Sequence, residues 1–245
     1  MQTIIDGILT NYEVFGSPKN QNILIVHGWG RSLNDWIPTA KELAKDNYVV
    51  AVDLPGFGAS SHPETSFDTY AYSDFLKSFI QKLNLKNPIL VGHSFGGKTL
   101  AVVTSQMPNI KKLILIDASG VDKKSSLTSL KIALSKIIKP LMFFMPKNLK
   151  NKIFDKLASS DYRNAGNLKE SFKKIVSQDI SKDLEKIQTP AVIIWGDKDK
   201  EVPLSSAKRF NTLIKNSRIK IVWNAGHHPQ FDKPEKFLEI LKDSI

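Results

Sequence analysis

Gly92-His93-Ser94-Phe95-Gly96, followed by Gly97, is the part of the chain best suited to chemistry. It comes straight after an aliphatic run, Ile89–Gly92, and straight before a helical pattern. A serine on a sharp strand-to-helix turn has its hydroxyl pushed clear of the sheet. Glycines two before and two after it remove the Cβ atoms that would clash with neighbouring chain. The helix that follows aims its N-terminus at the hydroxyl, where negative charge is stabilised. The spacing therefore points to Ser94 as a nucleophile.

A serine hydroxyl needs a base. The five histidines are His27, His62, His93, His227 and His228. His227 lies in Asn224-Ala225-Gly226-His227-His228-Pro229, just after the last aliphatic run, Ile219–Trp223. It is favoured over His228 because it follows Ala-Gly directly, which leaves the ring room to swing toward the serine. His93 points away from Ser94 in such a turn, and His62 falls in a polar loop. The base in turn needs a carboxylate to fix its tautomer. Asp197 and Asp199, in Gly196-Asp197-Lys198-Asp199, stand near a strand end, and so does Asp117. Asp53 is a fourth candidate, within the turn-like Asp53-Leu54-Pro55-Gly56-Phe57-Gly58. An oxyanion requires backbone donors. The N–H of Phe95, next after the nucleophile, is one. The N–H of Trp29, in His27-Gly28-Trp29-Gly30, is the best second.

These groups need a scaffold that gathers strand ends on one side. Ile23–His27, Tyr48–Asp53, Ile89–Gly92, Leu113–Asp117, Ala191–Trp195 and Ile219–Trp223 are short aliphatic runs without polar alternation. Such runs fit strands buried on both faces of a parallel sheet. Helical patterns lie between them: Leu33–Lys45, Tyr70–Leu83, Gly96–Met107, Ser205–Ile214 and Pro234–Lys242. The alternation predicts βαβ units. Thr3–Ile5 and Ile8–Phe15 flank Asp6-Gly7 and predict an antiparallel hairpin at a sheet edge. After Asp117 the next sheet-like run starts only at Ala191. The stretch between is helix-patterned at Leu127–Ile138, Leu149–Ala158, Asn167–Val176 and Leu184–Ile187. Residues 120–188 thus predict a helical cap inserted in a core of 1–119 and 189–245. Met142, Phe143, Phe144 and Met145 within it suit an acyl pocket, since Met and Phe fill irregular apolar sites.

Composition narrows the classes. The 245 residues carry 35 Lys plus Arg against 24 Asp plus Glu, a net +11, and no cysteine. That excludes a disulfide scaffold, a cysteine nucleophile and thiolate metal sites. Only four of the basic residues are Arg (31, 163, 209 and 218), which argues against specific nucleic-acid reading. Residues 121–188 hold 15 basic and 7 acidic side chains, so most of the surplus sits in the insertion. It reads as a solvated lysine face, or as a docking place for an anionic partner such as an acyl carrier protein or an anionic membrane surface. No apolar run approaches the ~18 residues of a membrane span. The first 16 residues lack a basic n-region and an apolar h-region, so a cytoplasmic protein is expected.

Taken together, the motifs resemble the α/β-hydrolase fold superfamily over nearly the full chain. They are His27–Gly30, Asp53–Gly58, Gly92–Gly97, Trp195–Asp199 and Gly226–Pro229 with Asp232 and Pro234 after it. The order Ser, Asp, His is also that of the superfamily. The resemblance implies a mainly parallel sheet with helices on both faces, a helical cap after the sixth strand, and no cofactor or metal. It implies Asp199 as the acid, in preference to Asp197. Serine at position 94 sets the chain apart from the epoxide hydrolases and haloalkane dehalogenases of this fold, which place Asp there. A basic cap sets it apart from proline iminopeptidases. The expectation is a carboxylesterase-type serine hydrolase acting on a small ester of short to medium acyl length. The alternatives are a C–C bond hydrolase or a carrier-linked methyl-ester esterase on the same triad, and a small-molecule receptor that retains the triad.

Overall fold

The computed structural model describes residues 1–121 and 160–245. Among the described residues, eight strands form one sheet in the order β1-β2-β4-β3-β5-β6-β7-β8. β1 (Gln2–Ile5) and β2 (Ile8–Phe15) make the expected hairpin, with Asp6 and Gly7 at φ 45° and 82° in its turn. β2 pairs antiparallel with β4 (Asn47–Val52). All other pairings are parallel: β3 (Gln21–Val26), β5 (Ile89–His93), β6 (Lys112–Ile116), β7 (Ala191–Gly196) and β8 (Ser217–Val222).

The aliphatic runs are explained by burial on both faces. Leu24 and Val26 face α2 (Thr69–Lys82) and α3 (Phe95–Gln106), packing with Leu76, Phe79 and Leu100. Ile23 and Ile25 face the opposite layer, with Trp36, Leu43, Phe237 and Leu241. β8 departs from the pattern. It is a half-exposed edge strand that carries Arg218 and Lys220. The expected helix over Leu33–Lys45 is split into a 3₁₀ turn, Leu33–Trp36, and α1, Ile37–Leu43. Pro38 has no N–H to continue the hydrogen-bond ladder, and it suits the first turn of a new helix instead.

Within the insertion, α4 (Ser160–Asn164) leads into a 3₁₀ turn, Gly166–Leu168, and then α5 (Lys169–Ser177). α6 spans Ser181–Leu184, where sequence placed a helical turn at Leu184–Ile187. Leu127–Ile138, Leu149–Ala158 and the cluster Met142, Phe143, Phe144 and Met145 lie outside the described residues. The described end of this segment is pinned to α3 by Lys98, a buried side chain. Its Nζ donates to the carbonyls of Ile175 and Gln178, both at 2.6 Å. These are carbonyls at the C-terminal end of α5, where a cation is favoured. No helix among the described residues is long and apolar enough to cross a membrane.

Asp53 is a structural residue. Its Oδ1 accepts from Leu33 N–H at 2.7 Å, and its Oδ2 accepts from Asn11 Nδ2 at 2.8 Å and Ala59 N–H at 2.9 Å. The turn wraps so closely that a Cβ on Gly58 would fall 2.1 Å from Asp53 Oδ2. Asp53→Ala strands two backbone donors, one of them fully buried. It should cost about 3 kcal/mol and lower the melting temperature by about 6–12 °C. A scanning-calorimetry shift under about 2 °C would show that the turn stands without the carboxylate.

Candidate functional site

β5 delivers Ser94 to the C-terminal edge of the sheet, and α3 begins at the next residue. Ser94 has φ 51° and ψ −115°, a backbone that side-chain-bearing residues rarely adopt. Its surroundings hold it there: Ser94 N–H donates to Ile116 O at 2.9 Å, and its carbonyl accepts from Lys98 N–H at 3.0 Å. A Cβ on Gly92 would lie 2.7 Å from Gly97 N, so the glycine spacing is a steric requirement.

β7 and the loop after β8 bring the other two groups. His227 Nε2 is 3.0 Å from Ser94 Oγ, and His227 Nδ1 is 2.7 Å from Asp199 Oδ2. A proton on Nδ1 satisfies the carboxylate and leaves Nε2 as the acceptor for the hydroxyl. Asp199 is itself held by backbone: its Oδ1 accepts from Glu201 N–H at 2.7 Å and Val202 N–H at 2.9 Å. The side chains of Asp199 and His227 are almost wholly buried.

Two of the other acid candidates separate cleanly. Asp197 pairs with Lys198 at 3.1 Å and lies against the Asn224 and Ala225 amides. Asp53 is spent on its turn. Asp117 stays close: one of its oxygens, one Asp199 oxygen and one His227 ring nitrogen lie within 4.8 Å of one another. Any cation there would compete with the Asp199–His227 hydrogen bond. His228 has a buried Nδ1 with no hydrogen-bond partner, and its ring lies 4.9 Å from that of His93, tilted by 35°.

The loop at His27–Gly30 passes beside the serine, close enough that a Cβ on Gly28 would be 3.4 Å from Ser94 Cβ. The Trp29 ring packs edge-on to Phe95 at 5.6 Å and to Phe57 at 4.9 Å, and lies 5.1 Å from Phe172 of α5. A cavity of about 670 Å³ opens over Ser94 and His227. Leu168, Asp161, Asn164 and Asn167 reach it from the insertion.

The family model described as alpha/beta hydrolase fold matches residues 21–148. The chain belongs to the alpha/beta hydrolase fold family. This hydrolase-fold chain is 29% identical to the uncharacterized hydrolase YugF of Bacillus subtilis, over 98% of this chain and 96% of that protein. It is 27% identical to the monoacylglycerol lipase ABHD6 of Bos taurus, over 96% of this chain and 78% of that one. Among solved structures, a membrane phospholipase A described as a bacterial virulence factor superposes with TM-score 0.81 at 26% identity, covering 99% of this chain and 84% of that one. The family and these relatives support hydrolase activity in general.

Sequence reasoning missed several groups that line the hydrolase cavity, notably Arg31, His62 and Glu201. Glu201 Oε2 is 3.6 Å from His227 Nε2. Arg31 follows the His-Gly-Trp-Gly motif, and Glu201 lies two residues past Asp199. Proximity to a motif was the available signal for both. His62 had none.

His27 and His93 are structural. His27 Nε2 accepts from Leu54 N–H at 3.0 Å, and His93 Nε2 donates to His227 O at 2.7 Å. Burial holds both below the ordinary imidazole pKa, and for His93 the nearby His227 adds to the effect. A folded-state pKa below the unfolded one means the unfolded chain binds more protons as pH falls. Stability is therefore complete above about pH 6.5 and erodes below it, by up to ~1.4 kcal/mol per pH unit for each group. His93→Gln removes one such group. Its melting temperature should fall by about 3–5 °C less per pH unit than wild type between pH 6.5 and 5. Parallel pH curves for the two proteins would show that His93 does not resist protonation.

Proposed function

We propose that this hydrolase cleaves carboxylic esters through an acyl-enzyme on Ser94. The observation that carries the reading is the unbroken line from Ser94 Oγ through His227, at 3.0 Å, to Asp199, at 2.7 Å. As Oγ attacks the acyl carbon, its proton passes to His227 Nε2, and Asp199 stabilises the imidazolium. The Phe95 and Trp29 N–H groups take the developing oxyanion, each worth about 2.7–4 kcal/mol in the transition state. Nε2–H then protonates the leaving alcohol. A water repeats the cycle on the acyl carbon and frees Ser94.

In this reading the segment 120–188 serves as a cap that sets acyl length. Leu168, at the cavity wall, supports this reading. The names of two relatives, a monoacylglycerol lipase and a phospholipase A, are in keeping with an ester substrate.

The test is hydrolysis of p-nitrophenyl esters from acetate to dodecanoate, by wild type and Ser94→Ala in parallel. Turnover should depend on Ser94 and peak at one chain length. Negligible turnover at every length by the folded wild type would overturn the ester reading and shift attention to C–C bond hydrolysis on the same three residues.

A further inference from the structure

Asp117 directly follows β6 and is fully buried, with φ 43° in the left-handed region. Its Oδ1 accepts from Gly196 N–H at 2.9 Å. Its Oδ2 is buried with no hydrogen-bond partner at ordinary distance. The ester mechanism above makes no use of it. Yet one of its oxygens lies within 4.8 Å of both an Asp199 oxygen and a His227 ring nitrogen.

Two buried carboxylates this close do not both ionise. Asp199 takes two backbone N–H donors and the imidazole N–H. Asp117 has one backbone donor, and the other charged groups acting on it are the carboxylates of Asp199 and Asp232. Burial pushes its carboxyl well above the usual range, with a smaller contribution from Asp199. A neutral carboxylic acid has an O–H to donate, and Asp199 has lone pairs to spare beyond its three bonds.

We propose that Asp117 is a positioning residue: protonated at Oδ2, it hydrogen-bonds to Asp199 and holds that carboxylate toward His227. It also stands as a reserve acid. If Asp199 becomes neutral, Asp117 loses a like charge beside it, ionises more readily, and needs only a small shift from within 4.8 Å of a His227 ring nitrogen to take over the imidazole N–H. No bond to substrate is involved.

The proposal rests on the triad reading, so the test uses a probe that reports nucleophile activation whatever the natural substrate. The readout is the rate at which a fluorophosphonate labels Ser94. If wild type does not label, the triad reading fails. If it labels, the variants judge Asp117. Asp117→Asn keeps a donor toward Asp199 and should slow labelling by only about two- to fivefold, with its acidic pH midpoint in place. Asp117→Leu keeps neither donor nor acceptor and should slow it by more than about tenfold. In the Asp199→Asn background, residual labelling should rise with pH, and adding Asp117→Asn should reduce it by about a further tenfold. A midpoint in Asp117→Asn moved down by more than about 0.5 unit would mean that Asp117 is ionised in the wild type, which overturns the proposal. So would equal labelling by Asp199→Asn and the double variant. These comparisons between soluble variants stand even if Asp117→Leu does not fold.

Discussion

Ser94→Ala is expected to reduce ester turnover by about 10⁴- to 10⁶-fold, and Ser94→Ala/His227→Ala no further. The two residues act as one unit, because the imidazole 3.0 Å from Oγ has no other proton to accept. Asp199→Asn should cost about 10³- to 10⁴-fold, for a reason visible in its contacts. Asp199 Oδ1 faces two backbone N–H donors and Oδ2 faces His227 Nδ1. An asparagine amide must turn its NH₂ toward one side or the other. Against the two N–H groups it meets like donors. Against Nδ1 it forces the proton onto Nε2, and the base can no longer accept from Ser94. Steady-state rates on the best p-nitrophenyl ester measure all of these. An Asp199→Asn enzyme that keeps more than about a tenth of wild-type activity would remove Asp199 from the acid role. An additive double variant would break the Ser94–His227 unit.

The fold was legible because its strands are buried on both faces. Ile23–Val26, Val49–Val52 and Leu113–Ile116 are almost wholly buried and read as unbroken aliphatic runs. The serine turn was legible because the glycines there are sterically required. The acid was less so. A parallel sheet brings the C-terminal ends of its strands to one edge, so Asp53, Asp117, Asp197 and Asp199 were all admissible by position. What separates them is side-chain direction and the backbone donors each one meets, neither of which is written in spacing. The same holds for His227 against His228. The polar wall of the cavity was not legible at all. Asp161, Asn164 and Asn167 come to it from helices whose placement depends on contacts such as Lys98 on the end of α5. Pro38 shows the opposite case, where a local rule could have divided the helix over Leu33–Lys45 from sequence alone.

Gly96→Ala sets two effects of opposite sign against each other. Gly96 lies in the first turn of α3 with ordinary helical backbone. By helix propensity alone, alanine there should stabilise by about 0.5–1 kcal/mol. The contacts say otherwise. A Cβ at Gly96 would lie 2.5 Å from the carbonyl oxygens of both Val26 and His27. These are backbone atoms at the end of β3, which is paired on both sides by β4 and β5, so they cannot swing away as a side-chain tip could. To admit the methyl, α3 must back off from β3 or the turn at Ser94 must rebuild. Overpacking of that kind costs about 1–3 kcal/mol in ordinary cores, and more against immobile backbone. The net expectation is a loss of about 2–4 kcal/mol, or a melting temperature lower by about 4–16 °C. Gly7→Ala is the control for general glycine effects: its φ is 82°, and a Cβ there meets nothing within 4 Å. It should cost about 1 kcal/mol, from backbone strain alone. Turnover separates the pair further. Gly96→Ala moves the Phe95 N–H and Ser94 Oγ that the reaction depends on, so the surviving folded enzyme should also be slow, whereas Gly7→Ala should run at the wild-type rate. A Gly96→Ala protein more stable than wild type would mean that α3 does not approach β3 this closely, and the steric account of the serine turn would fall with it.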